Sequence, residues 1–207
     1  MKSINENYIQ GDTKQKIFNA AAELFARDGY HKTSVREICE AAKVTKPVLY
    51  YYFKDKETLL EALMIETYSR MDELMSLHLG SMTNLIEVIT GLSKLYLEFL
   101  TKYPNLTKFS VFIQSTNVPK RILEIKMQRY KNEMERFINL IIHSQRKGLV
   151  PSKYDSEILA INFIGSITLL VVEYLLFDND INKLQHKLND FTKFWIKAFL
   201  TNDTVEN

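Results

Sequence analysis

Lysines and tyrosines crowd together between Thr45 and Lys56, in a stretch that reads TKPVLYYYFKDK. A phenol donates a hydrogen bond and an ammonium supplies charge, which is the chemistry that phosphate oxygens and base edges accept. Lys46 and Tyr50 are four residues apart, with Pro47, Tyr51 and Lys54 beside them. On a helix, residues four apart share a face, so these groups would project together. Leu49 and Phe53, also four apart, would turn the other way into a core. The competing reading makes YYYF ordinary core, but phenols alternating with lysines pack poorly against apolar neighbours. A polyanion is the partner this face suits.

A face of this kind needs a short, rigid element to hold it. Ser34 and Glu37 fit the S-x-x-E capping box, in which each side chain satisfies a backbone amide of the other at a helix start. Val35, Ile38 and Ala42 follow at helical spacing and make one buried face. Lys43-Val44-Thr45 is a turn of about three residues, after which Thr45 is a suitable N-cap and Pro47 sits in the first turn, where a missing amide costs little. Residues 34–53 therefore read as a helix-turn-helix whose second helix presents Lys46 and Tyr50 to DNA. Thr33 and Ser34, at the start of the first of these helices, offer free amides and a positive dipole end to a phosphate. Arg36 reads equally as a DNA contact or as part of a solvated face.

Charge supports a local patch rather than a general polyanion binder. The 207-residue chain has a net charge of only +2. Residues 1–60 hold ten Lys/Arg against eight Asp/Glu, the remainder balances at 17 each, and 43–56 alone contain four lysines and one aspartate. Apolar residues make up 46% of the chain, enough for a core. The single cysteine, Cys39, has no intramolecular disulfide partner, fits a reducing cytoplasm and reads as a packing residue rather than a redox sensor. The polar stretch 1–12 is expected to be a mobile arm and no signal peptide. Enzyme signatures are weak: six glycines, no phosphate-cradling or nucleophile-elbow motif, and histidines 31, 78, 143 and 186 scattered without metal-ligand spacing. No catalytic residue, metal or cofactor is expected, although an α-helical enzyme in the second domain is the different-class alternative.

The whole chain reads as helical. Thr13 is expected to cap a first helix that carries Ile17, Ala20, Ala21, Leu24 and Phe25 and ends at Asp28-Gly29. Asp55 caps a long helix reaching about Leu79. Further helices follow over 83–102, 105–114 and 119–147, stopped by Tyr103-Pro104 and by Arg146-Lys147-Gly148. The run 158–177, ILAINFIGSITLLVVEYLLF, is apolar nearly all round. About twenty such residues could span a membrane, but Asn162 and Glu173 interrupt the run and no basic flank adjoins it. The other reading is a helix buried on every side, one side by its own chain and one by a partner. Ile181, Leu184, Leu188, Phe191, Trp195 and Ala198 then repeat at threes and fours, a heptad seam. Together the two helices predict a four-helix homodimer interface through Ile161, Gly165, Val172, Leu184, Leu188, Phe191 and Trp195, with Ala160, Gly165 and Ser166 allowing close approach.

Residues 13–63 resemble the N-terminal domain of the TetR family of bacterial transcriptional repressors. The resemblance lies in LF-x-x-x-GY (24–30), TSVREI (33–38), K-x-x-L-Y-Y-x-F (46–53) and K-x-K-E-x-L (54–59). Lys43 stands where the family often has glycine, so a left-handed turn would strain it, and Pro47 replaces a small residue beside the DNA. The resemblance implies an all-α fold of about nine helices, with a helix-turn-helix domain over 1–56 and a larger regulatory and dimerisation domain over 57–207. It implies a cytoplasmic dimer on a palindromic double-stranded operator, most often a repressor, with Thr45, Lys46, Pro47 and Tyr50 near base edges. Tyr51, Lys56, Thr33 and Ser34 would hold phosphates. It further implies release by a small-molecule effector, apolar or aromatic, in the second domain. Tyr96, Phe99, Tyr103, Phe109, Phe112, Met127, Tyr130 and Phe137 would line that pocket, ordinary core being the plainer reading of each. Glu173, a carboxylate in an apolar helix, would read a cationic ligand, pair within the dimer or reach water. A dimer of the same fold acting at many scattered sites without an effector is the closer alternative.

Overall fold

The computed structural model describes residues 3–80, 82, 84–113 and 118–200, with side chains from residue 12 onward. Among these residues the chain is all helical: α1 (Ser3–Asp28), α2 (Val35–Ala42), α3 (Lys46–Tyr52), α4 (Lys56–Leu79), α5 (Leu85–Lys102), α6 (Pro104–Phe112), α7 (Lys120–Arg146), α8 (Ser156–Glu173) and α9 (Ile181–Phe199), with a π-turn over Tyr174–Asp178. The N-terminus differs from expectation. Helix α1 begins ten residues before Thr13, so Thr13 lies inside it and residues 3–12 are not an arm. Residues 1 and 2, Thr83 and Gln114 lie outside the described residues.

The punctuation is local chemistry. Gly29 and Gly148 take left-handed conformations, φ 82° and 76°, just past α1 and α7, where glycine carries no Cβ penalty. Pro104 ends α5 and opens α6, the first-turn position a missing amide tolerates. Asp55 caps α4 by accepting the Thr58 amide at 2.7 Å.

Two compact units form, residues 1–72 with 99–125, and residues 73–98 with 126–207. In the first, α1 packs on α2 and on α6, and α2 on α3. Rings seal these contacts: Phe18 on Phe53 at 5.4 Å, and Phe25 on Tyr30 at 5.7 Å and on Phe109 at 6.5 Å. Ile17, Ile38, Leu49, Leu59, Leu60 and Leu63 are fully buried beneath α3 and its neighbours.

In the second unit an aromatic chain joins α7, α8 and α9. Phe163 meets Phe137 at 5.6 Å, stacks on Phe191 at 5.6 Å and takes Trp195 edge-on at 5.4 Å, and Trp195 continues to Phe199 at 5.1 Å. The Ser93 and Thr192 hydroxyls bond each other at 2.6 Å, buried between α5 and α9. This arrangement corrects the expected dimer seam. Leu184, Leu188 and Trp195 are 3%, 1% and 0% exposed, so they fill the protomer's own core, and Phe191 is largely spent against Phe163. Helix α8 buries Leu159, Ala160, Phe163, Ile167 and Val171 on one side. On the other side Ile158, Ile161, Leu169 and Leu176 are exposed, Gly165 faces open space, and Val172 is half-buried. From Ser156 to Asp178 the helix and its π-turn are long and apolar enough to cross a membrane by length and composition alone, an 18-residue window within it having a mean hydropathy of 2.0.

Candidate nucleic-acid interface

The capping box forms as its residues dictate. The Ser34 amide donates to Glu37 Oε2 at 2.7 Å, and the Glu37 amide donates to Ser34 Oγ at 3.2 Å. The Ser34 amide, and after it the Ser34 hydroxyl, hold the Glu37 carboxyl below the usual carboxylate range. Helix α2 then ends on Lys43, which takes the left-handed conformation (φ 55°, ψ 44°) so that its amide reaches back to Glu40 and the Val44 amide to Cys39. The αL cap is therefore made by a lysine where a glycine would sit without strain. Burial pushes the Cys39 thiol up, consistent with a packing role.

Helix α3 starts at Thr45, whose extended backbone is that of an N-cap although its hydroxyl makes no capping bond. Leu49 is fully buried and Phe53 5% exposed, which fixes the roll of the helix. The opposite face carries exposed Lys46, Pro47, Tyr50 and Tyr51, the tyrosines 49% and 71% exposed, with Val48 at its edge. Tyr51 and Tyr52 meet edge to face at 5.1 Å, which orders two neighbouring phenols. Lys43, Lys54 and Ser34 are exposed as well. Arg36 is exposed and ion-paired with Glu40 at 2.7 Å.

Two expected phosphate ligands stand elsewhere. Thr33 is only 2% exposed, and its hydroxyl donates to the Gly29 carbonyl at 2.9 Å and the Leu24 carbonyl at 3.3 Å, inside the α1–α2 corner. Lys56 folds inward too. Its Nζ donates to the carbonyls of Tyr30 at 2.8 Å and Thr33 at 2.9 Å and lies 4.2 Å from the centre of the Tyr30 ring. Burial holds this ammonium below the usual lysine range. Lys56 thus ties the start of α4 to the α1–α2 corner. A cation in the first turn of a helix reads equally well as a phosphate ligand or as such a tie, and the open carbonyls of residues 30 and 33 leave no signal in sequence.

The residues expected around an effector are spread over both units. Phe99 and Tyr103 meet at 5.5 Å, Phe109 lies on Phe25, and Phe112 is half-buried, all in the first unit. In the second, Phe137 is core and Met127 and Tyr130 are 58% and 53% exposed. Tyr96 keeps partial exposure, yet burial, and secondarily the Glu133 carboxylate, push its phenol up to about 12. Glu173 is ion-paired with Lys187 at 2.5 Å.

Residues 17–63 match the family model described as bacterial regulatory proteins, tetR family. Over 58 residues the chain is 34% identical to the HTH-type transcriptional regulator UidR of Escherichia coli (strain K12), covering 28% of this chain and only 30% of that relative's length. It is 27% identical over 171 residues to the uncharacterized HTH-type transcriptional regulator YdgC of Bacillus subtilis (strain 168), covering 80% and 82%. A solved gamma-butyrolactone receptor shares the fold at a TM-score of 0.72, with 22% identity over 93% of this chain and 90% of that one. Residues 17–63 thus match the tetR family of bacterial regulatory proteins, and the chain shares its fold along most of its length with a solved gamma-butyrolactone receptor.

Proposed function

We propose that this regulator is a repressor that binds a near-palindromic operator as a homodimer and leaves it when a small molecule enters residues 57–207. The observation that carries the reading is the α3 face, Lys46, Pro47, Tyr50 and Tyr51, rolled outward by the burial of Leu49 and Phe53. A two-fold dimer presents two such faces to half-sites about one helical turn or more apart. Thr45, Lys46, Pro47 and Tyr50 read base edges, while Ser34, Tyr51 and, once freed from Glu40, Arg36 hold phosphates. Thr33 and Lys56 support this face from behind.

The dimer reading rests on the uncovered apolar side of α8, where Ile161, Gly165 and Val172 meet a partner. A second copy covers that side in water, which removes the need for a membrane, and a DNA partner puts the protein in the cytoplasm. Effector control is proposed from the likeness in fold to a solved gamma-butyrolactone receptor. The apolar and aromatic side chains of α5 and α7, Phe137 and Tyr96 among them, suit an apolar or aromatic ligand.

Tyr50→Ala tests the reader. Loss of one base-edge contact per half-site weakens operator binding at least about tenfold while the dimer persists in sedimentation. Unchanged affinity removes α3 from the interface.

A further inference from the structure

The uncovered side of α8 has a raised end and a hollow end. At the raised end the helix widens into the π-turn Tyr174–Asp178, closed by the Asn179 amide donating to the Tyr174 carbonyl at 3.0 Å, with Asn179 itself left-handed at φ 47°. Turns of this kind occur preferentially at functional positions. Each residue of the wider turn advances by less than the roughly 100° of an α-helix. Phe177 is thereby rotated back toward the stripe of Leu169, Val172 and Leu176, and it is the most exposed large apolar side chain described, at 81%. At the hollow end Tyr154, Ile158, Leu159, Asn162 and Phe199 line a cleft of about 230 Å³, with Lys153 and Asp155 at its rim. An apolar cavity of about 150 Å³ is known to accept benzene, so the cleft has room for a phenyl ring.

A two-fold interface is a patch that meets itself, each residue touching a partner residue whose own copy returns the contact. When two α8 helices run antiparallel, the raised end of each lies over the hollow end of the other. Between the ends the 66% exposed Leu169 faces the open space at the partner's Gly165. Parallel helices would set knob against knob and leave both clefts unfilled.

We propose that Phe177 is a knob that enters the partner's cleft beside Tyr154, Ile158, Asn162 and Phe199, twice per dimer, and that the π-turn is there to aim it. This rests on the dimer reading above and assigns its register. Burying two rings per dimer, each worth about tenfold or more, makes Phe177→Ala raise the dimer dissociation constant at least about a hundredfold in sedimentation equilibrium of the full chain. In parallel, Ile158→Cys and Phe177→Cys proteins are mixed and oxidised. The native Cys39 is buried and leaves the readout clean. A disulfide dimer that forms in the mixture and in neither protein alone supports the register. A disulfide formed by the Phe177→Cys protein with itself, or a Phe177→Ala dimer as tight as wild type, overturns the knob and leaves the dimer standing. A wild-type chain that stays monomeric at every concentration overturns the dimer reading itself.

Discussion

Replacing Lys56 with alanine separates two accounts of the same residue. As a phosphate ligand it would matter only with DNA present. As the tie described above it matters in the free protein, because its ammonium serves the carbonyls of Tyr30 and Thr33 and rests on the Tyr30 ring. Hydrogen bonds from a charged donor contribute about 1.5–3 kcal/mol each, and partial exposure reduces these two to about 1 kcal/mol apiece. The ring contact adds about 0.5–1 kcal/mol. Lys56→Ala is therefore expected to loosen the reader by about 2–3 kcal/mol, a fall of roughly 30- to 150-fold in amide protection. Hydrogen exchange is the suitable assay, because the chain has two compact units and one global unfolding free energy does not describe it. The amides of Ile38, Leu49 and Leu59 are the ones to follow. Lys56→Met, which keeps the aliphatic stem, should show nearly the same loss. Protection within about 0.5 kcal/mol of wild type, together with a salt slope of DNA binding lowered by about one, would refute the tie and restore the phosphate role.

Lys43→Gly relieves the left-handed turn between α2 and α3 and should raise protection of the same amides by about 0.5–1 kcal/mol, whereas a decrease would mean the turn is not strained. Glu37 gives the reader a pH signature. Its folded pKa is depressed below the ordinary 4.5, so its contribution is present above that value and is lost as pH falls through the folded one. Glu37→Gln should therefore flatten the acid-side loss of reader stability, without abolishing it because Asp55 is depressed in the same direction. An unchanged acid limb in circular-dichroism titration would contradict the capping-box cause.

Local chemistry was legible in the sequence, and what covers a surface was not. Ser34 with Glu37 declares a capping box and Gly148 after Arg146-Lys147 a helix end, because each depends on neighbours within four residues, whereas the left-handed Lys43 was implied only by the resemblance to a family that often has glycine there. Leu184, Leu188 and Trp195 repeat at heptad spacing, and that spacing states that one side of α9 is buried without saying by whom. The cover turned out to be the chain's own Phe163 and its neighbours. The inward bonds of Lys56 and Thr33 were illegible for the same reason. Their partners, Tyr30, Leu24 and Gly29, lie across a corner of the fold. Glu173 needed a partner, as a carboxylate in an apolar helix must, but only the fold brings Lys187 to it from the next helix. Residues 3–12 are polar and lack a capping signature, and they nevertheless continue α1.

The most direct test is selection of genomic DNA fragments at physiological salt by the purified wild-type chain and by Tyr50→Ala in parallel, followed by sequencing. A palindromic sequence enriched by wild type and lost with Tyr50→Ala is the expected result. No enrichment by wild type, or the same enrichment by both proteins, would contradict a reading face on α3.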